Sequence, residues 1–180
     1  MQAFILCAGF GRRLRPITEE IPKPLLPVLG KPLIFYTLEK LKEVKIRESG
    51  INLHWLPEKI IKTLKNFEKD FNFHFFYEKV LLDTGGALKN AKEFLKDEDF
   101  IVINGDIIFD FSLDGLIRYH KEKENFGTIL ITDNEKTNNL IVSKEGNLLS
   151  VAKNFSKKYK TFCGISIYKP EILNLMEKKI

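Results

Sequence analysis

Two cysteines and three histidines are the whole supply of thiolate and imidazole ligands in this 180-residue chain. Cys7 and Cys163 each sit in an apolar, strand-like run, and no Cys or His pair has ligand spacing, which excludes a structural zinc site and a disulfide framework. Such sparse cysteine suits a reducing cytoplasm. His54, His74 and His120 lie far apart in sequence, as ordinary core or surface residues do. Eleven glycines and seven prolines are too few for collagen-like or low-complexity classes. No apolar run approaches the roughly 20 residues of a membrane span. Residues 1–10 have no basic start before their apolar stretch, so neither a span nor a secretory signal is expected.

What the chain does have is apolar mass. Hydrophobic residues make up 44% and aromatics 12%, with 15 Phe, enough for one packed core, and the length fits one domain over residues 1–180. The formal charge of +5 is unevenly spread. Arg12, Arg13, Arg15, Lys23 and Lys31 face only Glu19 and Glu20 near the N-terminus. That focus suits a small polyanion such as a nucleoside triphosphate; no nucleic acid and no membrane partner is expected.

Strand and helix alternate through the first two-thirds. Residues 3–7 form a short apolar run stopped by Gly9, which predicts a buried strand opening onto a long loop over residues 8–32. Ile34, Leu38 and Leu41 share a helical face, as do Ile60, Ile61, Leu64 and Phe67 after Pro57, with a strand over 50–54 between them. Phe71, Phe73 and Phe75 alternate with polar residues, Thr84 can cap a helix carrying Ala87 to Leu95, and residues 100–103 are a continuous apolar strand. Ser112 can cap the next helix before a strand over 127–132. The rhythm then breaks: residues 140–143 and 148–152 flank Lys144-Glu145-Gly146-Asn147, a hairpin signal, and a strand over 161–168 precedes a helix from Pro170. These elements predict an α/β fold, a Rossmann-like three-layer sandwich with a mostly parallel mixed sheet and a β-rich late insertion.

Four segments can carry chemistry. Gly9-Phe10-Gly11-Arg12-Arg13 follows the first strand, where glycines let backbone N–H groups approach phosphate oxygens. Arg12-Arg13 replaces the Lys-Ser/Thr of a Walker loop. Leu14 and Lys31 stand where a dinucleotide fingerprint needs its third Gly and its acid. Taken alone, the loop also reads as a tight turn with surface arginines. Pro22-Lys23-Pro24 holds a lysine on a stiff backbone, lowering the entropy cost of placing its ammonium. Asn104-Gly105-Asp106 delivers a carboxylate at the carboxyl end of a buried strand, where open parallel sheets bind ligands. By itself, Asp106 suits a helix cap and a metal ligand equally. Asp83-Thr84-Gly85-Gly86 opens a helix on the same edge.

In this order and spacing, the GxGxR loop, Pro-Lys-Pro-Leu, the Thr-Gly-Gly loop and the Asn-Gly-Asp strand end resemble the sugar-1-phosphate nucleotidyltransferases. The likeness is nearest to short bacterial members acting on mannose 1-phosphate or N-acetylmuramate 1-phosphate. Gly30-Lys31-Pro32-Leu33-Ile34, Ile51-Asn52-Leu53-His54 and Phe162-Cys163-Gly164-Ile165 extend it across most of the chain. The resemblance implies transfer of a nucleoside monophosphate from an NTP to a sugar 1-phosphate, with Mg²⁺ as cofactor and guanylyl or uridylyl transfer favoured. It implies that Leu6, Ala8, Gly9 and Gly11 cradle nucleoside and phosphates, that Arg13 meets the β- and γ-phosphates, and that Lys23 bridges sugar phosphate and α-phosphate. Asp106 would hold the metal. Glu78, Asp83 and Thr84 fall where family members read the base, and Asn104, Asn139 and Gly164 where they meet the sugar. A non-catalytic nucleotide- or sugar-binding paralogue and cytidylyl transfer to an alcohol phosphate are the competing classes.

The chain departs from the family pattern in three places. Arg12 stands where members carry a small or acidic residue. Residues 152–154 lack the family's Glu-Lys-Pro and keep only Lys153. The family's C-terminal tail, with a second metal-binding Asp or Asn, is expected to be lacking, as is a fused β-helical acyltransferase unit.

Overall fold

Alternate residues of the first strand, β1 (Gln2–Leu6), feed two different cores: Ala3 and Ile5 enter one and Phe4 the other, each fully buried. A strand presents successive side chains to opposite faces, so β1 must lie between two covering layers. The computed structural model describes residues 1–123, 125–134 and 136–176; the expected end of the domain, residues 177–180, lies outside the described residues.

The loop after β1 carries a single-turn helix, α1 (Ile17–Glu20), and a two-residue ladder of β2 (Pro27–Val28) with β3 (Lys31–Pro32). Then come α2 (Leu33–Glu43), β4 (Glu48–Leu53), α3 (Pro57–Leu64) and β5 (Asn72–Tyr77). The chain continues through α4 (Asp83–Asn90), α5 (Lys92–Leu95), β6 (Phe100–Asn104) and α6 (Leu113–Glu122). It closes with β7 (Gly127–Thr132), β8 (Leu140–Val142), β9 (Leu148–Val151), β10 (Thr161–Tyr168) and α7 (Ile172–Leu175).

Six strands form one sheet in the order β5-β4-β1-β6-β10-β7. The first four are parallel and β10 is antiparallel to both neighbours, so the sheet is mixed and mostly parallel. Leu38 and Leu41 of α2, Ile60 and Leu64 of α3 and Leu113 of α6 join Ala3 and Ile5 in one core; Leu88, Leu95 and Leu173 from α4, α5 and α7 join Phe4 in the other. Each fully buried aliphatic side chain contributes about 1.5–3 kcal/mol relative to exposure. From β1 the chain builds outward through β4 and β5, then recrosses the sheet to place β6 on β1's other side. That reversal opens a crevice above the carboxyl ends of β1 and β6, the switch point where such sheets bind ligands.

The hairpin of β8 and β9 turns through Gly146 at φ 89° and forms a separate two-stranded sheet. Ser112 does cap α6, its Oγ accepting from the Asp114 N–H at 3.2 Å. Thr84 does not cap α4: the helix begins one residue earlier, at Asp83, without a side-chain cap. The expected 84–95 helix breaks at Ala91 into α4 and α5, and the terminal helix starts at Ile172, beyond Pro170. Among the described residues no helix is long and apolar enough to cross a membrane.

Candidate functional site

Leu6 and Asn104 are register partners at the ends of β1 and β6, and the Gly105 N–H donates to the Leu6 carbonyl at 2.9 Å. The two loops therefore leave the sheet side by side and open onto a cavity of about 750 Å³. Its walls include Leu6 at the end of β1, Ala8, Gly9, Gly11, Arg13 and Lys23 from the loop that follows it, Asp83 and Thr84 from the start of α4, Asn104 at the end of β6 and Asp106 just beyond it.

The glycine loop is held from outside. Gly11 has φ 64°, and a Cβ there would lie 2.8 Å from Thr18 Cγ2. Buried Thr18 donates from Oγ1 to the Gly11 carbonyl at 2.9 Å, while the Trp55 indole N–H donates to the Thr18 carbonyl at 2.7 Å. Phe10 meets His54 edge-on at 5.0 Å and Trp55 at 5.4 Å, and the Arg12 guanidinium lies 5.1 Å over the Phe10 ring. Both adjacent arginines line the cavity, but they differ: Arg12 is stacked on an aromatic ring, whereas Arg13, among the described residues, has no hydrogen-bond, ion-pair or ring partner.

Lys23 begins a short turn, Lys23–Leu25, between two prolines, with Pro22 extended at φ −60° and ψ 143°. Its ammonium donates to Asp106 Oδ2, and the two side chains are 38% and 28% exposed. A cation and a carboxylate are therefore both accessible from the cavity, in a pair shallow enough to be exchanged for substrate charge. Burial, and then the Asp106 charge, pushes the Cys7 thiol well above its ordinary range. Cys7 therefore offers no thiolate nucleophile to the site.

A second polar group lies beneath the loops. Asn52, at the end of β4, accepts from the Cys7 N–H through Oδ1 at 2.7 Å and donates from Nδ2 to Glu78 Oε1 at 2.8 Å. The other carboxylate oxygen, Glu78 Oε2, accepts from the Leu82 N–H at 2.9 Å, and the Glu78 N–H donates to the Leu53 carbonyl at 2.8 Å. Asn52 and Glu78 are only 4% and 5% exposed. Both Glu78 oxygens are thus engaged by protein donors, and Glu78 is not part of the cavity lining. Together the two side chains clamp the β1 loop to the segment that leads into α4. Sequence reasoning assigned Asn52 no role, although an amide between Ile51 and Leu53 at the end of a buried strand was a usable signal. Trp55 and Thr18 act through contacts that join distant segments and leave no pattern in the sequence.

Of the three residues expected at the sugar, Asn104 lines the cavity. Gly164, at φ 81°, approaches it so closely that a Cβ would lie 2.8 Å from Asn104 Nδ2. Asn139 is placed elsewhere, its backbone N–H donating to the Lys160 carbonyl at 3.0 Å and its carbonyl accepting from Ala152 at 2.7 Å, beside the small sheet and outside the lining. Among the described residues no group of three or more His, Cys, Asp or Glu side chains could hold a metal. Mg²⁺ commonly binds through one or two carboxylates plus substrate phosphates, and Asp106, an accessible carboxylate on the cavity wall, fits that mode.

Known proteins resemble this chain in sequence and in fold. The chain is 34% identical to mannose-1-phosphate guanyltransferase 2 of Candida glabrata, over 99% of this chain and 53% of that protein. It is also 34% identical to the bifunctional protein GlmU of Methanocaldococcus jannaschii, over 99% of this chain and 42% of that one. The chain thus spans about half the length of the curated relatives it matches. Among solved structures, HddC from Yersinia pseudotuberculosis superposes with a TM-score of 0.77 at 26% identity, over 96% of this chain and 78% of that one. A family model described as nucleotidyl transferase matches residues 2–157, and by that match this chain belongs to the nucleotidyl transferase family.

Proposed function

We propose that the site transfers a nucleoside monophosphate from an NTP to a sugar 1-phosphate, releasing pyrophosphate and forming an NDP-sugar. The observation that carries this reading is the single cavity lined by the Lys23–Asp106 pair, the uncommitted Arg13 and the glycine loop together. In the reaction an oxygen of the sugar phosphate attacks the α-phosphorus, and the bond from that phosphorus to the β-phosphate oxygen breaks. Two anions must be brought together, so the task is positioning and charge neutralisation. Lys23 bridges the sugar phosphate and the α-phosphate, and Arg13 takes the leaving β- and γ-phosphates. Asp106 is the residue that would hold Mg²⁺, which when bound supplies further neutralisation of phosphate charge. The protein contributes no nucleophile, in keeping with a neutral, buried Cys7. Asn104, with Gly164 packed against it, is the proposed sugar contact. The unpaired thiols Cys7 and Cys163 suit a reducing compartment.

Pyrophosphate release measured across a panel of NTPs with sugar 1-phosphates and with alcohol phosphates such as phosphocholine tests the reading. One productive pair with an NDP-sugar product supports it. A product carrying an alcohol phosphate, or nucleotide binding without turnover on any pair, overturns it.

A further inference from the structure

The basic side chains near the glycine loop are not neutralised alike. Arg15 pairs with Glu19 at 3.7 Å, Lys23 with Asp106 and Lys31 with Glu39. Arg12 and Arg13 have no acidic partner among the described residues, and both line the cavity. The lining thus sets the cations of Arg12, Arg13 and Lys23 against the carboxylates of Asp83 and Asp106, a surplus that favours an anionic ligand. Arg12 is also the cation that stands where the family pattern has a small or acidic residue.

Unlike Arg13, Arg12 is held in place. Its guanidinium lies 5.1 Å over the Phe10 ring, and Phe10 packs in turn against His54 and Trp55. Trp55, through Thr18, also fixes the carbonyl of Gly11, the residue before Arg12. Backbone and guanidinium are therefore braced by one aromatic cluster. Contact with a ring needs no oxygen acceptor, so the five N–H donors of the guanidinium stay available to phosphate oxygens. Arg12 is exposed, and at an exposed site such a ring contact is weak enough to yield to an anion. Arg12 and Arg13 open the same tight turn, Arg12–Leu14, so a phosphate chain that meets one is within reach of the other. In the reaction proposed above, negative charge builds on the β- and γ-phosphates as the bond to the α-phosphorus breaks, and Arg13 alone faces two phosphoryl groups. We infer that Arg12 is a second guanidinium ligand for the leaving pyrophosphate, with Phe10 as the positioning residue that holds it at the lining.

This inference rests on the nucleotide reading above, and its test is one of binding, independent of turnover. Titration calorimetry of the full chain in Mg²⁺ buffer uses inorganic pyrophosphate, the triphosphates GTP, UTP, dTTP, CTP and ATP, and their monophosphates. Arg12→Ala should weaken pyrophosphate and the preferred triphosphate by about ten- to a hundredfold, the scale of losing charge-assisted hydrogen bonds. It should leave the matching monophosphate and the melting temperature unchanged, because the side chain is exposed. Arg12→Lys, which keeps the charge without the planar fork, should recover part of the loss. Phe10→Leu should weaken the same two ligands by a smaller factor, and should add nothing when combined with Arg12→Ala. Equal losses for monophosphate and pyrophosphate would make Arg12 a brace for the loop, and wild-type pyrophosphate affinity in Arg12→Ala would remove it from the site; either result overturns the assignment. The expected losses in a chain that turns over no pair of substrates would uphold Arg12 and overturn the transferase reading alone. A wild type that binds neither pyrophosphate nor any triphosphate would overturn both.

Discussion

Lys23 and Asp106, 83 positions apart in sequence, hold each other on the lining of one cavity. The pairing places the site's most accessible ammonium and its proposed metal-binding carboxylate where one substrate can meet both. It also requires that each exchange its partner for a ligand. A partly exposed pair makes that exchange cheap, since exposed ion pairs are worth only about 0–1 kcal/mol.

Lys23→Ala should lower turnover by about 10²–10³, the scale for losing one preorganised charge-stabilising donor. Thermal stability should change by less than about 1 kcal/mol, because the lost pair is shallow. Arg13→Ala should chiefly raise KM for the nucleotide, its proposed partners being the leaving phosphates. Steady-state kinetics alongside melting curves checks both, and near wild-type turnover in Lys23→Ala would remove that residue from the chemistry.

Asp106→Asn keeps shape but removes a hard anionic ligand. Activity should fall sharply and the Mg²⁺ midpoint should rise, with stability altered by less than about 1 kcal/mol. Were Asp106 only a strand-end hydrogen bonder, the ranking would reverse: a lower melting temperature with an unchanged Mg²⁺ titration.

His120 gives the fold a pH dependence distinct from that of the site. It is fully buried at the end of α6, with Nδ1 bonded to Thr128 Oγ1 at 2.9 Å. Burial lowers its pKa from the ordinary 6.5; nearby Asp99 opposes the shift and Lys169 adds to it. Below about pH 6.5 the unfolded chain binds a proton that the folded chain refuses, so stability is full above that pH and is lost as pH falls towards the lower folded value. Melting temperatures from pH 7.5 down to 5.5 should decline more steeply for wild type than for His120→Asn, itself destabilised by about 1–3 kcal/mol at neutral pH. Parallel slopes would show that His120 is not the titrating group.

The layered sheet was legible because strand geometry turns period-two patterns directly into faces: Ala3 and Ile5 against Phe4, Ile101 and Ile103 against Phe100 and Val102. The same locality exposed the glycine loop, the proline-braced Lys23 and the carboxylate ending β6, since each is a property of a few consecutive residues. Helix ends were less legible, because the break at Ala91 and the start of α4 at Asp83 come from packing and a strained φ, not from a capping side chain. Which acid near α4 faces the cavity was not encoded locally at all. Glu78 turns inward only because Asn52, from another strand, and the Leu82 N–H saturate it, leaving Asp83 exposed to the cavity. Asn139 likewise lies outside the lining because its backbone joins the ladder beside Lys160 and Ala152. Local spacing determined which residue types stand at the strand ends. Tertiary structure alone decided which of them are free to act, because a polar atom's availability depends on partners that the fold brings from far away in the chain.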